Sequence, residues 1–299
     1  MRRIQGLITS VDTQNNQVTV ELENGDTQTE TFDALLIASG VTNGFWRTAG
    51  LETLDNIEQS IQKHSNQLKA AKNVSVIGGG ATGTSVAANL ATEYPDKEIH
   101  FFYSQAQPLP GYHKKVRKDV EAKLKARKVY LYPQHRAIIP DGLNAHELCT
   151  NLPVHWQDDN QPPFQADVTL WAVGNVSPNS SYLPPDMLNE QGFVKTDKYL
   201  RAPGYDNVFA VGDIAATDPN RSSARNWGYQ VVAHNIRVYL KDRPARKMKA
   251  YKATQYRWGS VLGVQDDGLT VYNADGSRFR FGRWTVSNIL FPHIVRRLI

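Results

Sequence analysis

Three glycines in the segment Gly78-x-Gly80-x-x-Gly83 have a type and spacing suited to holding a phosphate ester. They follow a five-residue apolar run that is typical of a buried strand, and small residues with helical spacing come after them. Such a turn lets a pyrophosphate approach backbone N–H groups at the positive end of a helix dipole. The alternative is a glycine-rich turn that holds no ligand. We expect a dinucleotide to contact Gly78, Gly80, Ala81, Thr82 and Gly83.

The residues after the next strand bear on which nucleotide would bind. The run Ile99–Tyr103 predicts this strand, and Ser104 follows it. An acid at this position would bind the ribose hydroxyls of NAD, whereas an arginine would accept the 2′-phosphate of NADP. Neither is present here, and the next cations along the chain begin at His113. We therefore expect Ser104 to border the ribose in a site that accepts NADH and NADPH alike.

Three further apolar runs also end in glycine, and the first of them, Ala34–Ala38, is typical of a strand buried on both faces of a parallel sheet. One ends at Ser39 and Gly40, the second at Gly174, and the third at Gly212 and Asp213. Parallel sheets collect their ligands at the carboxyl ends of the strands, so these positions are candidate cofactor contacts. In isolation, Asp213 is as well suited to capping the helix that follows as to binding a ligand.

An alternation of strands and helices must position these residues, and it predicts an α/β, doubly wound fold. A small antiparallel meander with an Asn-Gly turn at Asn24 precedes the first apolar run. Short aromatic strands punctuated by glycine follow residue 243, which predicts a small β-rich C-terminal region. We expect the last helix before that region to begin near Arg221, with Trp227, Val232 and Asn235 on one side.

Composition limits the classes of function. A length of 299 residues favours about two domains, and 40% hydrophobic with 21% charged residues is ordinary for a globular protein. No uncharged apolar run approaches the ~18 residues that a membrane-spanning helix needs. The single cysteine, Cys149, excludes a catalytic cysteine pair within these residues. The eight histidines show no metal-ligand spacing, so we expect no metal site.

The net charge of +5 is largely local. Residues 114–128 contain eight lysines and arginines against two acids, with Val116, Val120 and Leu124 recurring every four residues. This pattern favours an amphipathic helix with a solvated basic face. A site for nucleic acid or anionic lipid is the alternative, but no aromatic interleaving accompanies the charges, and we expect no nucleic acid partner.

The glycine-ended strands resemble a known superfamily in their order. Ala38-Ser39-Gly40, the fingerprint at 78–83, Ala172-Val173-Gly174 and Val211-Gly212-Asp213 follow one another as in the two-dinucleotide flavoprotein oxidoreductases. The segment from Thr92 to Gln105 resembles the apoptosis-inducing-factor-like group, which includes ferroptosis suppressor protein, an NAD(P)H:quinone oxidoreductase. The resemblance covers roughly residues 5 to 240 and is weaker beyond them.

The resemblance implies FAD and NAD(P)H as cofactors, with Gly212 and Asp213 on the flavin and Asp213 on its ribityl chain. It also implies hydride transfer from nicotinamide to flavin and onward transfer of electrons to a quinone-like acceptor. The cofactors carry this chemistry, so no catalytic side chain is singled out. The implied domains are a Rossmann-like NAD(P)-binding domain at 71–188, inserted in an incomplete FAD-binding domain at 1–70 and 189–243, and a C-terminal region at 244–299.

One departure from the group concerns the start of the chain. Members begin with a strand, a GxGxxG turn and a helix for the FAD pyrophosphate, whereas this sequence begins at the meander. We expect a fragment or late start of a working cytoplasmic flavoenzyme. The alternatives are a non-catalytic dinucleotide-binding protein, or a peripheral protein of the inner membrane face that uses the apolar, basic tail Trp284–Ile299. The alternative to membrane contact for Ile289–Val295 in that tail is packing in the core or against a second subunit.

Overall fold

The computed structural model describes residues 2–42, 52–141, 149–174, 176–217, 223–253 and 258–293. Its strands are β1 Gly6–Asp12, β2 Gln17–Leu22, β3 Thr27–Thr31, β4 Leu35–Ile37, β5 Val41–Thr42, β6 Asn73–Ile77, β7 Glu98–Phe102, β8 Tyr130–Tyr132, β9 Cys149–Thr150, β10 Val168–Trp171, β11 Ser177–Pro178, β12 Val208–Ala210, β13 Trp258–Gly259, β14 Val264–Gln265, β15 Gly268–Asn273 and β16 Arg278–Phe281. Its α-helices are α1 Leu54–Ala70, α2 Ala81–Glu93, α3 Lys114–Ala126, α4 Tyr229–Leu240 and α5 Arg283–Thr285. Shorter 3-10 turns lie at Pro185–Met187 and Ala245–Lys247, and π-helical turns at Ala224–Gly228 and Val286–Leu290.

The described residues divide into two compact units. The first unit holds residues 2–42, 52–54 and 176–253, and the second holds 55–174 and 258–293. Helix α1 and the β-rich C-terminal region therefore group with the second unit. The domain boundaries given by the sequence pattern stay predictions.

The second unit is built on a five-stranded sheet in the order β8-β7-β6-β10-β9. Strands β8, β7, β6 and β10 are parallel, and β9 is antiparallel at one edge. Val74 and Val76 of β6 are fully buried, as is Phe101 of β7, because central parallel strands are covered on both faces. Helices cross over between the strands, so the α/β, doubly wound prediction is confirmed.

Helix α3 packs its apolar stripe into this core. Val116, Val120 and Leu124 are buried, which confirms the amphipathic pattern. Several of the cations on its polar face already have partners within the unit: Lys125 pairs with Glu121 at 2.7 Å, and Lys123 donates to Thr270. Partners of this kind within the unit favour the solvated-helix interpretation over a binding surface.

The first unit contains the three-stranded meander β1-β2-β3 and a parallel pair, β4 and β12. Ile37 of β4 is buried in the core of this unit, together with Val208 and Ala210 of β12. Leu36, by contrast, is 42% exposed, so the expectation that this strand is buried on both faces is wrong. Successive side chains of a strand point to opposite faces, and in the described residues only the Ile37 face is covered.

The helix after Asp213 also differs from expectation. A π-helical turn at Ala224–Gly228 precedes α4, and Trp227 adopts a φ of +66°. The extra residue of a π-turn rotates the side chains that precede it relative to the regular helix. Trp227 is therefore 60% exposed while Val232 and Asn235 are buried, so its expected place on their side is wrong. The expected start at Arg221 lies outside the described residues.

The C-terminal region of the second unit is β-rich, as its glycine-punctuated pattern indicates. Strand β15 pairs with β13, β14 and β16. Tyr272 of β15 is buried, and its hydroxyl donates to Asp119 of α3 at 2.6 Å, which ties this small sheet to the helix.

The tail after β16 leaves Trp284, Ile289 and Phe291 exposed. Packing of Ile289 and Phe291 in the core is therefore excluded, and the choice between a bilayer and a second subunit stays a prediction. Residues 294–299 lie outside the described part. None of the described helices combines the length and the apolar character needed to cross a bilayer.

Candidate functional site

The carboxyl ends of β6, β7 and β10 border a cavity of about 350 Å³ in the second unit. Neighbouring parallel strands point the same way, so the loops after them meet at one edge of the sheet. The residues that line the cavity are Ile77, Gly78, Gly79, Gly80, Phe102, Tyr103, Ser104, His135, Arg136, Ala137, Ile139, Ala172, Val173 and Gly174.

The three fingerprint glycines lie at this edge, and each has a different steric environment. A Cβ added to Gly78, whose φ is +121°, would lie 2.3 Å from the carbonyl oxygen of Ala172. A Cβ added to Gly83 would lie 1.9 Å from the carbonyl oxygen of Gly78. A Cβ added to Gly80 would meet nothing within 4 Å. Gly78 and Gly83 therefore permit close packing of strand and helix, while Gly80 faces open space.

Helix α2 begins directly after Gly80, which caps it with an extended backbone and no side-chain hydrogen bond. Thr84 donates to the Gly80 carbonyl through its backbone N–H at 3.1 Å and its hydroxyl at 2.8 Å. The first-turn N–H groups, including those of Ala81 and Thr82, have no acceptor within a helix. Free donors, a positive helix end and the open space at Gly80 fit a pyrophosphate.

Two further expected contacts, Ser104 and Gly174, also line the cavity. Ser104 is exposed directly after β7, and Gly174 has a φ of +77° after β10. The neighbouring Tyr103 is buried, and its burial raises the pKa of its hydroxyl to about 12, so it stays neutral. Of the residues expected to contact a cofactor in this unit, Gly78, Gly80, Ser104 and Gly174 line this cavity, whereas Thr82 lines a second, larger cavity. Ala81 and Gly83 are not among the residues that line either of the two cavities.

Sequence reasoning missed His135 and Arg136, which line the same cavity from the loop after β8. The backbone N–H of His135 donates to the Tyr103 carbonyl at 3.0 Å, which fixes this loop beside the end of β7. The cations that share the cavity with Ser104 are therefore not those that follow it most closely along the chain, from His113 onward. About thirty residues separate Arg136 from Ser104 in sequence. The only feature of the sequence that could have linked them is that each follows a strand of the same parallel sheet.

The residues expected on the flavin lie at the carboxyl ends of β4 and β12 in the first unit. The parallel register Ala210↔Ile37 brings Ser39 and Gly40 to the same edge as Gly212 and Asp213. The N–H of Val211 donates to the Ile37 carbonyl at 3.1 Å and continues the pairing toward this edge.

Two residues that the sequence did not indicate hold this edge in place. The Ser39 hydroxyl donates to the Asn179 carbonyl at 2.7 Å, and the Asn179 N–H donates to the Gly40 carbonyl at 3.1 Å. Gly212 has a φ of +87°, and its N–H donates to the hydroxyl of the fully buried Ser223 at 2.8 Å. Asp213 directly follows this turn, and a carboxylate at the carboxyl end of parallel strands fits the hydroxyl-bearing chain of a flavin dinucleotide.

A larger cavity, of about 750 Å³, borders α1, α2, β10 and the C-terminal region. Leu68, Val86 and Leu170 are among its apolar lining residues, and Arg283 at its border donates to Asp266. Across the described residues, no group of three or more His, Cys, Asp and Glu side chains is placed to hold a metal ion.

Comparison with known proteins places this geometry in a family. The profile described as pyridine nucleotide-disulphide oxidoreductase matches residues 2–242. Apoptosis-inducing factor homolog B of Dictyostelium discoideum is 29% identical over 269 residues, which are 84% of this chain and 68% of that protein. Human ferroptosis suppressor protein 1 is 26% identical over 273 residues, which are 88% of this chain and 69% of that protein.

Solved structures show the same fold at lower identity. A ferredoxin reductase from Rhodopseudomonas palustris matches with a TM-score of 0.61 and 17% identity over 88% of this chain and 62% of its own. A water-forming NADH oxidase from Lactobacillus brevis, bound to NADH, matches with a TM-score of 0.55 and 19% identity over 88% and 57%. This chain therefore spans less than two thirds of either solved chain.

These matches confirm the resemblance drawn from the glycine-ended strands, and they support FAD and NAD(P)H as the cofactors. Because the family profile matches residues 2–242, the chain belongs to the pyridine nucleotide-disulphide oxidoreductase family.

Proposed function

We propose that this chain binds FAD and NAD(P)H at the two strand edges described above and functions as an NAD(P)H oxidoreductase with a quinone-like acceptor. When bound, the two cofactors supply the redox chemistry, which is hydride transfer between them and onward transfer of electrons. The observation that carries the proposal is the open, donor-lined space at Gly80 beside the helix start.

The roles of the protein residues follow from their positions. The first-turn N–H groups of Ala81 and Thr82 hold the nucleotide pyrophosphate, and Gly80 leaves room for it. Ser104 borders the adenosine ribose, and Gly174 lines the same cavity.

The flavin edge has a different chemistry. Asp213 accepts hydrogen bonds from the hydroxyls of the ribityl chain, while Ser39, Gly40 and Gly212 shape the turn on which the cofactor rests. The buried Ser223 holds the N–H of Gly212, so this turn is fixed before the cofactor binds.

A quinone-like acceptor is favoured by the resemblance to the group of ferroptosis suppressor protein. The chain has one cysteine, so its 299 residues cannot form the dithiol that would pass electrons to a disulphide substrate. A small planar acceptor needs no such relay.

Reconstitution with FAD tests the proposal. The purified chain is incubated with FAD, freed of excess cofactor, and titrated anaerobically with NADH or NADPH while flavin absorbance is followed. We expect a yellow protein whose flavin band bleaches on titration and recovers when a soluble quinone is added. A protein that remains colourless, or whose flavin no reduced nucleotide bleaches, contradicts the proposal and favours a non-catalytic dinucleotide-binding protein.

Two aspartate variants make the test specific. Asp213→Asn removes the carboxylate at the carboxyl end of the β4–β12 pair, whereas Asp33→Asn removes an exposed carboxylate just before β4. We expect the first to weaken FAD binding by about tenfold or more, since a hydrogen bond to a charged group contributes roughly 1.5–3 kcal/mol. The second should bind FAD like the unmodified chain, and equal loss in both variants would remove Asp213 from the site.

A further inference from the structure

The geometry points to Arg136 as the residue that makes the crevice select NADPH over NADH, by binding the 2′-phosphate of the adenosine ribose. The inference rests on the proposed binding of a nicotinamide nucleotide at this crevice. It replaces the expectation, drawn from Tyr103 and Ser104 alone, that the two nucleotides bind equally.

The loop that carries Arg136 is attached to the end of β7. The N–H of His135 donates to the Tyr103 carbonyl at 3.0 Å, and the N–H of Gln134 donates to the Gln105 carbonyl at 3.2 Å. The two acceptors are the residues directly before and after Ser104. The loop after β8 and the end of β7 therefore form one surface. Ser104 and Arg136 accordingly line the same cavity.

A second set of contacts fixes the backbone of Arg136 from the other side. Its carbonyl accepts from the N–H of Gln157 at 2.8 Å, and the next residue, Ala137, forms a β-bridge with Trp156. The ring of His135 packs edge-on against Trp156 with centroids 4.9 Å apart. The main chain at position 136 is therefore held in place, while the Arg136 side chain is exposed.

The charges that line the cavity favour binding of a second anionic group in addition to the pyrophosphate. Of the described residues that line the cavity, Arg136 is the only one of the Lys, Arg, Asp and Glu types. Within the described part of the chain, its guanidinium has no carboxylate partner. Among the described residues that line the cavity, none carries a carboxylate that would repel a phosphate dianion or bind the 2′-hydroxyl of NADH.

The position of Arg136 indicates that it would contact the 2′-phosphate of the nucleotide and not the pyrophosphate. The pyrophosphate is served by the start of α2 at Gly80, whereas the adenosine ribose lies beside the residue that follows the second strand of the unit. That residue is Ser104. The loop that carries Arg136 is hydrogen-bonded to the residues directly before and after Ser104, which are Tyr103 and Gln105. A guanidinium there forms a charge-assisted, bidentate contact with a phosphate.

The test measures nucleotide binding directly and needs neither flavin nor turnover. Calorimetric titration of the full chain with 2′,5′-ADP and with 5′-AMP isolates the 2′-phosphate, and NADPH and NADH are then compared in the same way. We expect 2′,5′-ADP to bind at least tenfold more tightly than 5′-AMP, and Arg136→Gln to abolish the difference. Arg3→Gln, which removes an exposed arginine of the first unit, should leave the difference unchanged.

The outcomes separate this inference from the function on which it rests. If both mononucleotides bind equally to the unmodified chain, or if the preference survives Arg136→Gln, the inference is wrong while nucleotide binding stands. If Arg136→Gln weakens both mononucleotides by the same factor, Arg136 contacts a group that they share, such as the 5′-phosphate, and the inference is also wrong. If none of the four nucleotides binds, both the inference and the nucleotide part of the proposed function are overturned.

Discussion

Replacing Gly83 with alanine would place a methyl group against the turn that joins β6 to α2. The added Cβ would lie 1.9 Å from the Gly78 carbonyl oxygen and 3.3 Å from the Cβ of Ala172, where ordinary contacts begin near 3.4 Å. The helix must therefore move away from the strand by about 1.5 Å, because a backbone oxygen cannot rotate aside as a side chain does. The neighbouring Ala87 and Ala88 are fully buried and would lose contacts as the helix moves.

The expected loss in the free energy of unfolding can be taken from other substitutions that add atoms to a well-packed core. Overpacking costs roughly 1–3 kcal/mol and occasionally more, and a clash with backbone belongs at the upper end, about 3 kcal/mol. At about 2–4 °C per kcal/mol, the melting temperature of the second unit should fall by roughly 6–12 °C.

Gly80→Ala is the matched control, because it adds the same methyl group where nothing lies within 4 Å. Gly80 has a φ of −74° and a ψ of −177°, which alanine adopts without strain. The loss of a favourable N-cap, about 0.5–1 kcal/mol, is offset by a gain of roughly 0.4–1 kcal/mol from the less flexible unfolded chain. We expect an unchanged melting temperature and an NADPH affinity reduced about tenfold, because the methyl occupies the space of the pyrophosphate.

Thermal unfolding followed by circular dichroism, with calorimetric titration of NADPH, distinguishes the two variants. Destabilisation in Gly83→Ala and weakened binding without destabilisation in Gly80→Ala is the expected pattern. A Gly83→Ala protein as stable as the original would refute the packing argument. A Gly80→Ala protein with full NADPH affinity would place the phosphate elsewhere.

Three further substitutions test the framework around the sites. Ser223→Ala leaves the N–H of Gly212 without its acceptor and should destabilise the first unit by about 1–3 kcal/mol in urea unfolding, and a smaller change would mean that water replaces the hydroxyl. Asn235→Ala removes three hydrogen bonds, to the Tyr199 carbonyl and to both the N–H and carbonyl of Lys249, and should cost about 3 kcal/mol by the same measurement; a loss under 1 kcal/mol would contradict it. Burial lowers the pKa of His100, so the stability that this residue contributes is complete above its ordinary pKa of 6.5 and is lost as the pH falls through the lower folded-state pKa. The midpoint of urea unfolding should thus decline below about pH 6.5, and His100→Phe should flatten that decline; an unchanged slope would show that His100 is not its source.

Local patterns accounted for most of the elements. The run Asn73–Ile77 matches β6 residue for residue, and the four-residue recurrence of Val116, Val120 and Leu124 matches the buried stripe of α3. Side-chain periodicity and glycine turns act over a few residues, so a sequence records them directly. The exposure of Leu36 and Trp227 did not follow from pattern, because it depends on what covers a strand face and on a single π-turn.

The sequence by itself determined the glycine turn between β6 and α2, since α2 begins directly after Gly80 and the backbone of Gly78 leaves no room for a side chain at Gly83. Only the tertiary structure decided what surrounds that turn, including the Ala172 carbonyl, directly after β10, which leaves no room for a side chain at Gly78. The order β8-β7-β6 brings Arg136 and Ser104 to the same cavity. The fold of the chain after Asp213 likewise brings the hydroxyl of Ser223 to the N–H of Gly212. The physical reason is that sheet order joins strand ends far apart in sequence, so charge around a site is a property of the fold and not of any one segment.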